Sequence, residues 1–103
     1  MIKVIFNLGN QEKEVELYFD TVSENYSPSG SNNKLTLEFR LEENLKSSML
    51  DYCKNILQLK IDTIHCFKNN EEEAFIIFNK YNQIQSCRTF LSNEEKKGTL
   101  ILI

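Results

Sequence analysis

Residues 35–41 read Leu35-Thr36-Leu37-Glu38-Phe39-Arg40-Leu41, with an apolar side chain at every odd position and a polar one at every even position. Successive side chains of a strand point to opposite faces, so this run predicts a strand with one face on a core and the other in water. Working back, Ile2, Val4, Phe6 and Leu8 repeat the pattern over 2–8, and Val15, Leu17 and Phe19 repeat it over 14–20. Gly9-Asn10 supplies turn chemistry between them, which predicts a hairpin. Residues 23–34 hold the one Pro, Pro28, and a cluster of Ser, Asn and Gly. They predict a twelve-residue loop that joins the second strand to a third laid beside it.

Working forward, the period changes. Leu45, Met49, Tyr52, Cys53, Ile56 and Leu57 follow a spacing of three and four residues, which predicts an amphipathic helix from Asn44, its N-cap, to about residues 58–60. Strands are then expected over 61–67, 74–79, 84–91 and 99–103, with a polar turn at 68–72. The last of these runs is wholly apolar and is expected inside a sheet, because an exposed edge of that composition invites aggregation. The expected fold class is α+β: a mostly antiparallel sheet or partial barrel in the order β-β-β-α-β-β-β-β, with one amphipathic helix packed on it, over a single domain 1–103. Grouping of four strands into a second sheet is the alternative.

The 103 residues are 41% apolar and 26% charged with a net charge of −3. A chain of this size buries roughly 65% of the surface it exposes when unfolded, enough for a core without metals or disulfides. The longest apolar runs are far shorter than the ~20 residues that span a bilayer as a helix, and no signal-peptide pattern opens the chain. A cytoplasmic location is expected, with no membrane partner. Three cysteines without a C-x-x-C pair agree with a reducing compartment. No basic patch is visible in linear order, so no direct nucleic-acid contact is expected.

Chemistry-bearing patterns are few. His65-Cys66 sets a base beside a nucleophile, with Asp62 three residues earlier, yet neighbours on a strand face opposite ways and cannot pair as thiolate and imidazolium. On the same alternation Asp62 shares a face with Ile64 and Cys66, and His65 with Ile61 and Phe67. Cys53, Cys66, Cys87 and His65 lack the close ligand spacing of a structural zinc site. Three glycines cannot build a phosphate-cradling loop. No catalytic residue, cofactor or metal is therefore expected.

Two surface elements remain. The loop tip, with Asn25, Tyr26, Pro28, Ser29 and Asn32, combines a rigid aromatic with adaptable polar groups, a mixture suited to recognition. Glu71-Glu72-Glu73 is an acidic turn suited to a basic partner. These eight residues are the expected partner-binding set. The expected function is a small non-enzymatic protein-binding module, of bacteriophage or mobile-element type by size and composition, that binds and inhibits a larger host protein such as a defence nuclease or a toxin. An alternative is a phage-type tail or baseplate assembly subunit that self-associates through sheet edges and the 23–34 tip. A third is an enzyme using Cys66 or His65.

Overall fold

The computed structural model describes residues 1–9, 13–25, 33–40, 60–91 and 96–103. Their strands are β1 (Ile2–Leu8), β2 (Lys13–Phe19), β3 (Thr21–Asn25), β4 (Lys34–Arg40), β5 (Thr63–Lys68), β6 (Ile76–Phe78), β7 (Ile84–Leu91) and β8 (Lys96–Leu102). They form two four-stranded sheets, ordered β2-β1-β5-β6 and β3-β4-β8-β7. Every pairing is antiparallel.

The alternation in the sequence becomes the layer between the sheets. Val4, Phe6 and Leu8 of β1 face inward beside Val15 and Leu17 of β2 and Ile64 and Cys66 of β5; Leu35, Leu37 and Phe39 of β4 face them with Leu100 and Leu102 of β8. Burial of such side chains stabilises by about 1.5–3 kcal/mol each, against chain entropy of similar total size. Phe6, Phe19 and Phe39 link the layers through edge-to-face contacts, with centroids 6.3 Å apart for Phe6–Phe19 and 5.7 Å for Phe19–Phe39.

Among the described residues, two connections join the sheets. Strands β2 and β3 are one run of chain bent at Asp20, whose N–H donates to the Glu38 carbonyl at 2.8 Å. The bend shifts the inward parity from odd to even: Val15, Leu17 and Phe19 are buried before it, and Val22 packs against the core after it. The second junction lies at 81–83. Ile61 N–H donates to the Asn82 carbonyl at 2.9 Å, the Asn82 side-chain amide donates to the Ile61 carbonyl at 2.8 Å, and the Asn82 and Gln83 N–H groups donate to the Ile103 carbonyl. One connecting segment thereby ties the start of β5 to the end of β8. Tyr81 is buried against Phe78 and donates its hydroxyl to Glu24 on β3.

Several expectations change. The 35–41 strand, realised as β4, does not lie beside the 14–20 strand: β2 pairs with β1, and β4 pairs with β3 and β8. The reason is the bend at Asp20, which carries the chain to the other sheet and inserts β3 as an additional strand. The loop expected over 23–34 is corrected at its ends, since residues 23–25 and 34 are strand, while 26–32 lie outside the described residues. Thr21 and Val22 favour extended backbone, the exposed face of an edge strand accepts Ser23 and Asn25, and half-buried Glu24 accepts the Tyr81 hydroxyl. The two-sheet alternative describes the architecture better than one sheet. The helix expected over 44–58 lies outside the described residues, and no α-helix occurs among those that are described. The apolar C-terminal strand is interior as expected, flanked by β4 and β7.

Candidate functional site

The β5–β6 hairpin carries the most exposed chemistry among the described residues. Its turn is built locally. Asn70 adopts a left-handed backbone with φ of 58°, which Asn tolerates better than most residues. Glu71 N–H donates to the Lys68 carbonyl at 2.9 Å, and the Met1 ammonium donates to Asn69 Oδ1 at 2.9 Å. Phe75 N–H donates to the Cys66 carbonyl at 2.9 Å and closes the connection. Glu71, Glu72 and Glu73 are all exposed on this tied turn.

The acidic turn runs directly into an apolar stretch whose exposure the sequence did not announce. Phe75, Ile76 and Ile77 are 42%, 36% and 56% exposed, while Phe78 is buried. Five apolar residues in a row, Ala74 through Phe78, lie within the strand expected over 74–79. The strand is three residues long, Ile76–Phe78, and among the described residues stands at the edge of its sheet. Ile77 lies opposite His65, which lies opposite Ile5, so the outward face of this sheet carries Ile5, His65 and Ile77 in one row. The next positions hold Lys3 opposite Phe67 and Tyr18. Lys3 Nζ sits 4.7 Å from the Phe67 ring centroid, and Lys68 Nζ 4.9 Å from that of Phe75. These cation–π contacts keep aromatic faces covered without burying them in the core. Tyr18 donates to Glu16 at 3.0 Å, and this carboxylate holds the phenol above its ordinary pKa.

Of the expected partner-binding residues, Glu71, Glu72 and Glu73 are exposed as foreseen, and Asn25 is exposed at the end of β3 opposite Lys34. Tyr26, Pro28, Ser29 and Asn32 lie outside the described residues. Asn25 and the acidic turn belong to different sheets. The acidic turn borders the start of β1, where Ile2 is opposite Lys68, and Asn25 borders the side of the other sheet where β8 ends.

His65 and Cys66 face opposite sides of β5, as their adjacency requires: His65 is partly exposed and Cys66 is buried. Asp62 and Ile61 depart from the expected alternation, because the strand begins only at Thr63. Asp62 is exposed with its N–H on the Asn7 carbonyl, and Ile61 is buried. Burial pushes the Cys66 thiol up from near 9 to about 12, the reverse of an activated nucleophile. Among the described residues no group of His, Cys, Asp and Glu is placed to hold a metal ion. No helix among them is long and apolar enough to cross a membrane.

The raised thiol pKa has a stability consequence with a definite sign. Below pH 9 the thiol is protonated in both states and favours neither. Between pH 9 and about 12 only the unfolded chain releases the proton, so stability falls as pH rises through this window. Unfolding free energies of Cys66→Ala from urea titration are expected to fall less steeply there than those of the parent, by a slope of up to about 1.4 kcal/mol per pH unit for one proton. Parallel slopes would show that Cys66 does not titrate on unfolding. Thiol labelling of Cys66 in the native protein is expected to be slow at neutral pH.

Comparisons with protein-family models, with curated proteins and with solved structures found no match for this chain.

Proposed function

We propose that this chain is a non-enzymatic protein-binding module that docks on a larger protein with a basic surface and inhibits it. The observation that carries the reading is the run of three exposed carboxylates, Glu71, Glu72 and Glu73, on a turn tied by hydrogen bonds at Lys68 and Asn69. Anchored like charges steer a complementary partner and raise its association rate. A nuclease or toxin that itself engages a polyanion has such a surface, which makes this class the proposed target, in the setting of a bacteriophage or mobile element acting in the host cytoplasm. The loop tip with Asn25, Tyr26, Pro28, Ser29 and Asn32 is the proposed second contact, Tyr26 being its aromatic anchor. An amphipathic helix over 44–58, packed on a sheet face, remains part of the proposed architecture on its 3.6-residue apolar spacing.

The test is comparative capture from the source cell, followed by kinetics on the captured protein. The parent is expected to retain a protein that is inhibited on binding. Glu71→Lys/Glu72→Lys/Glu73→Lys is expected to slow its association by tenfold or more and to flatten the salt dependence, as loss of steering requires. Tyr26→Ala is expected to weaken the complex by more than about 1 kcal/mol. Unchanged rates and affinity in both variants would overturn the assignment of these surfaces, and a captured protein with undiminished activity would overturn inhibition.

A further inference from the structure

The acidic turn and the apolar stretch that follows it have different chemistry, and the second asks for a different occupant. Strand β6 has β5 on one side and no strand on the other among the described residues. An unpaired edge offers backbone N–H and C=O groups to any extended chain, and proteins normally blunt such an edge with charge, proline or a bulge. Here the edge carries Phe75, Ile76 and Ile77, all exposed, with no charge between Ala74 and Phe78.

We infer that β6 pairs antiparallel with β6 of a second copy of this chain, joining two four-stranded sheets into one continuous eight-stranded sheet across a two-fold axis. The flanking charges select both the partner and the direction. The apolar stretch is preceded by Glu71, Glu72 and Glu73 and followed by Lys80, all exposed. About a two-fold axis at Ile76, residues whose numbers add to 152 lie opposite one another. Phe75, just ahead of the strand, then meets Ile77 of the second copy, an aromatic against a β-branched side chain. The same register brings the Glu72 flank of each copy to Lys80 of the other, and the symmetry makes this contact twice. A parallel pairing would set three carboxylates against three carboxylates, and like charges opposed across strands destabilise.

Such an interface is isologous, so one patch satisfies both subunits. It shares Glu72 with the proposed inhibitory surface, but its test needs only the purified chain, so Ile77→Lys can fail or succeed without bearing on the inhibitory target. It would also present two acidic turns on a single assembly.

Sedimentation equilibrium of the purified full chain tests it. A reversible monomer–dimer equilibrium is expected, sought up to roughly 1 mM, because an interface smaller than the standard size of about 1,600 Å² is weak. Ile77→Lys changes an exposed side chain and is expected to leave the thermal midpoint near that of the parent while raising the dimer dissociation constant more than about tenfold. Glu72→Lys and Lys80→Glu singly are expected to weaken the dimer, and the double exchange Glu72→Lys/Lys80→Glu to restore it, because only an antiparallel pairing sets these positions against each other. Amide exchange at 75–78 is expected to slow as protein concentration rises. A monomer throughout the range overturns the proposal. So does a dimer untouched by Ile77→Lys, which would place self-association elsewhere. Single charge variants that weaken the dimer with no recovery in the double exchange would overturn the antiparallel register.

Discussion

Gly98→Ala is expected to destabilise the protein by about 3 kcal/mol, the upper end of the usual cost of overpacking a core. In an open strand position the same change stabilises, because Ala loses less backbone entropy than Gly. The sign therefore reports the contact. Gly98 of β8 lies opposite Phe39 of β4, whose ring crosses over it. A Cβ at residue 98 would stand 2.1 Å from Phe39 Cζ and 2.3 Å from its Cε2, where no real Cβ is found. The ring cannot withdraw easily, since it is buried and stacked edge to face on Phe19 at 5.7 Å. For a domain of this size the loss corresponds to a midpoint lowered by roughly 12–24 °C. Phe39→Leu shortens the opposing side chain, so Phe39→Leu/Gly98→Ala is expected to lose less than the sum of the two single changes. Differential scanning calorimetry of the four proteins completes the cycle. Additive losses would show that the ring and the missing Cβ do not compete for one space.

Phe19→Ala is the second large effect, at about 3–5 kcal/mol. Phe19 has no exposed surface and ends β2 immediately before the bend at Asp20. Its ring meets Phe6 of one sheet at 6.3 Å and Phe39 of the other at 5.7 Å. Removing it leaves a cavity between layers and breaks two edge-to-face contacts, each worth about 0.5–1.5 kcal/mol beyond its area. Against a total stability of about 5–15 kcal/mol, that loss moves the unfolding transition far toward zero denaturant. Tyr18, the preceding residue, is 42% exposed on the outer face. Tyr18→Ala is expected to stay within about 0.5 kcal/mol of the parent, as surface changes do. Similar urea midpoints for the two variants would contradict the alternation in β2.

The contrast between Phe19 and Tyr18 also marks how far the candidate site was legible. Exposure of Glu71, Glu72 and Glu73 follows from charge alone, because three adjacent carboxylates are too costly to desolvate without partners. Exposure of Phe75, Ile76 and Ile77 does not follow from composition. Whether an apolar run is covered depends on how many strands stand beyond it, and among the described residues β6 is an edge. His65 and Cys66 illustrate the intermediate case. Their opposite orientation follows from their adjacency in a strand, but the burial that drives the thiol pKa upward comes from the opposing layer.

Over 2–8, 15–19 and 35–39 the sequence by itself determined that the chain is extended and which face turns inward. That information is local: period-two alternation over residues 2–8, 15–19 and 35–39 places every second side chain on the core whichever strands become neighbours. Strand order was decided only in three dimensions. The 35–41 strand expected beside β2 lies in the other sheet because the chain bends at Asp20, and the bend is held by the Glu38 carbonyl, eighteen positions away. Likewise the role of 81–83 as a tie between sheets depends on Ile61 and Ile103, which are distant in sequence and converge only when both sheets are stacked. Partners so far apart leave no periodic trace in the chain, since each bond is made by backbone groups that every residue possesses.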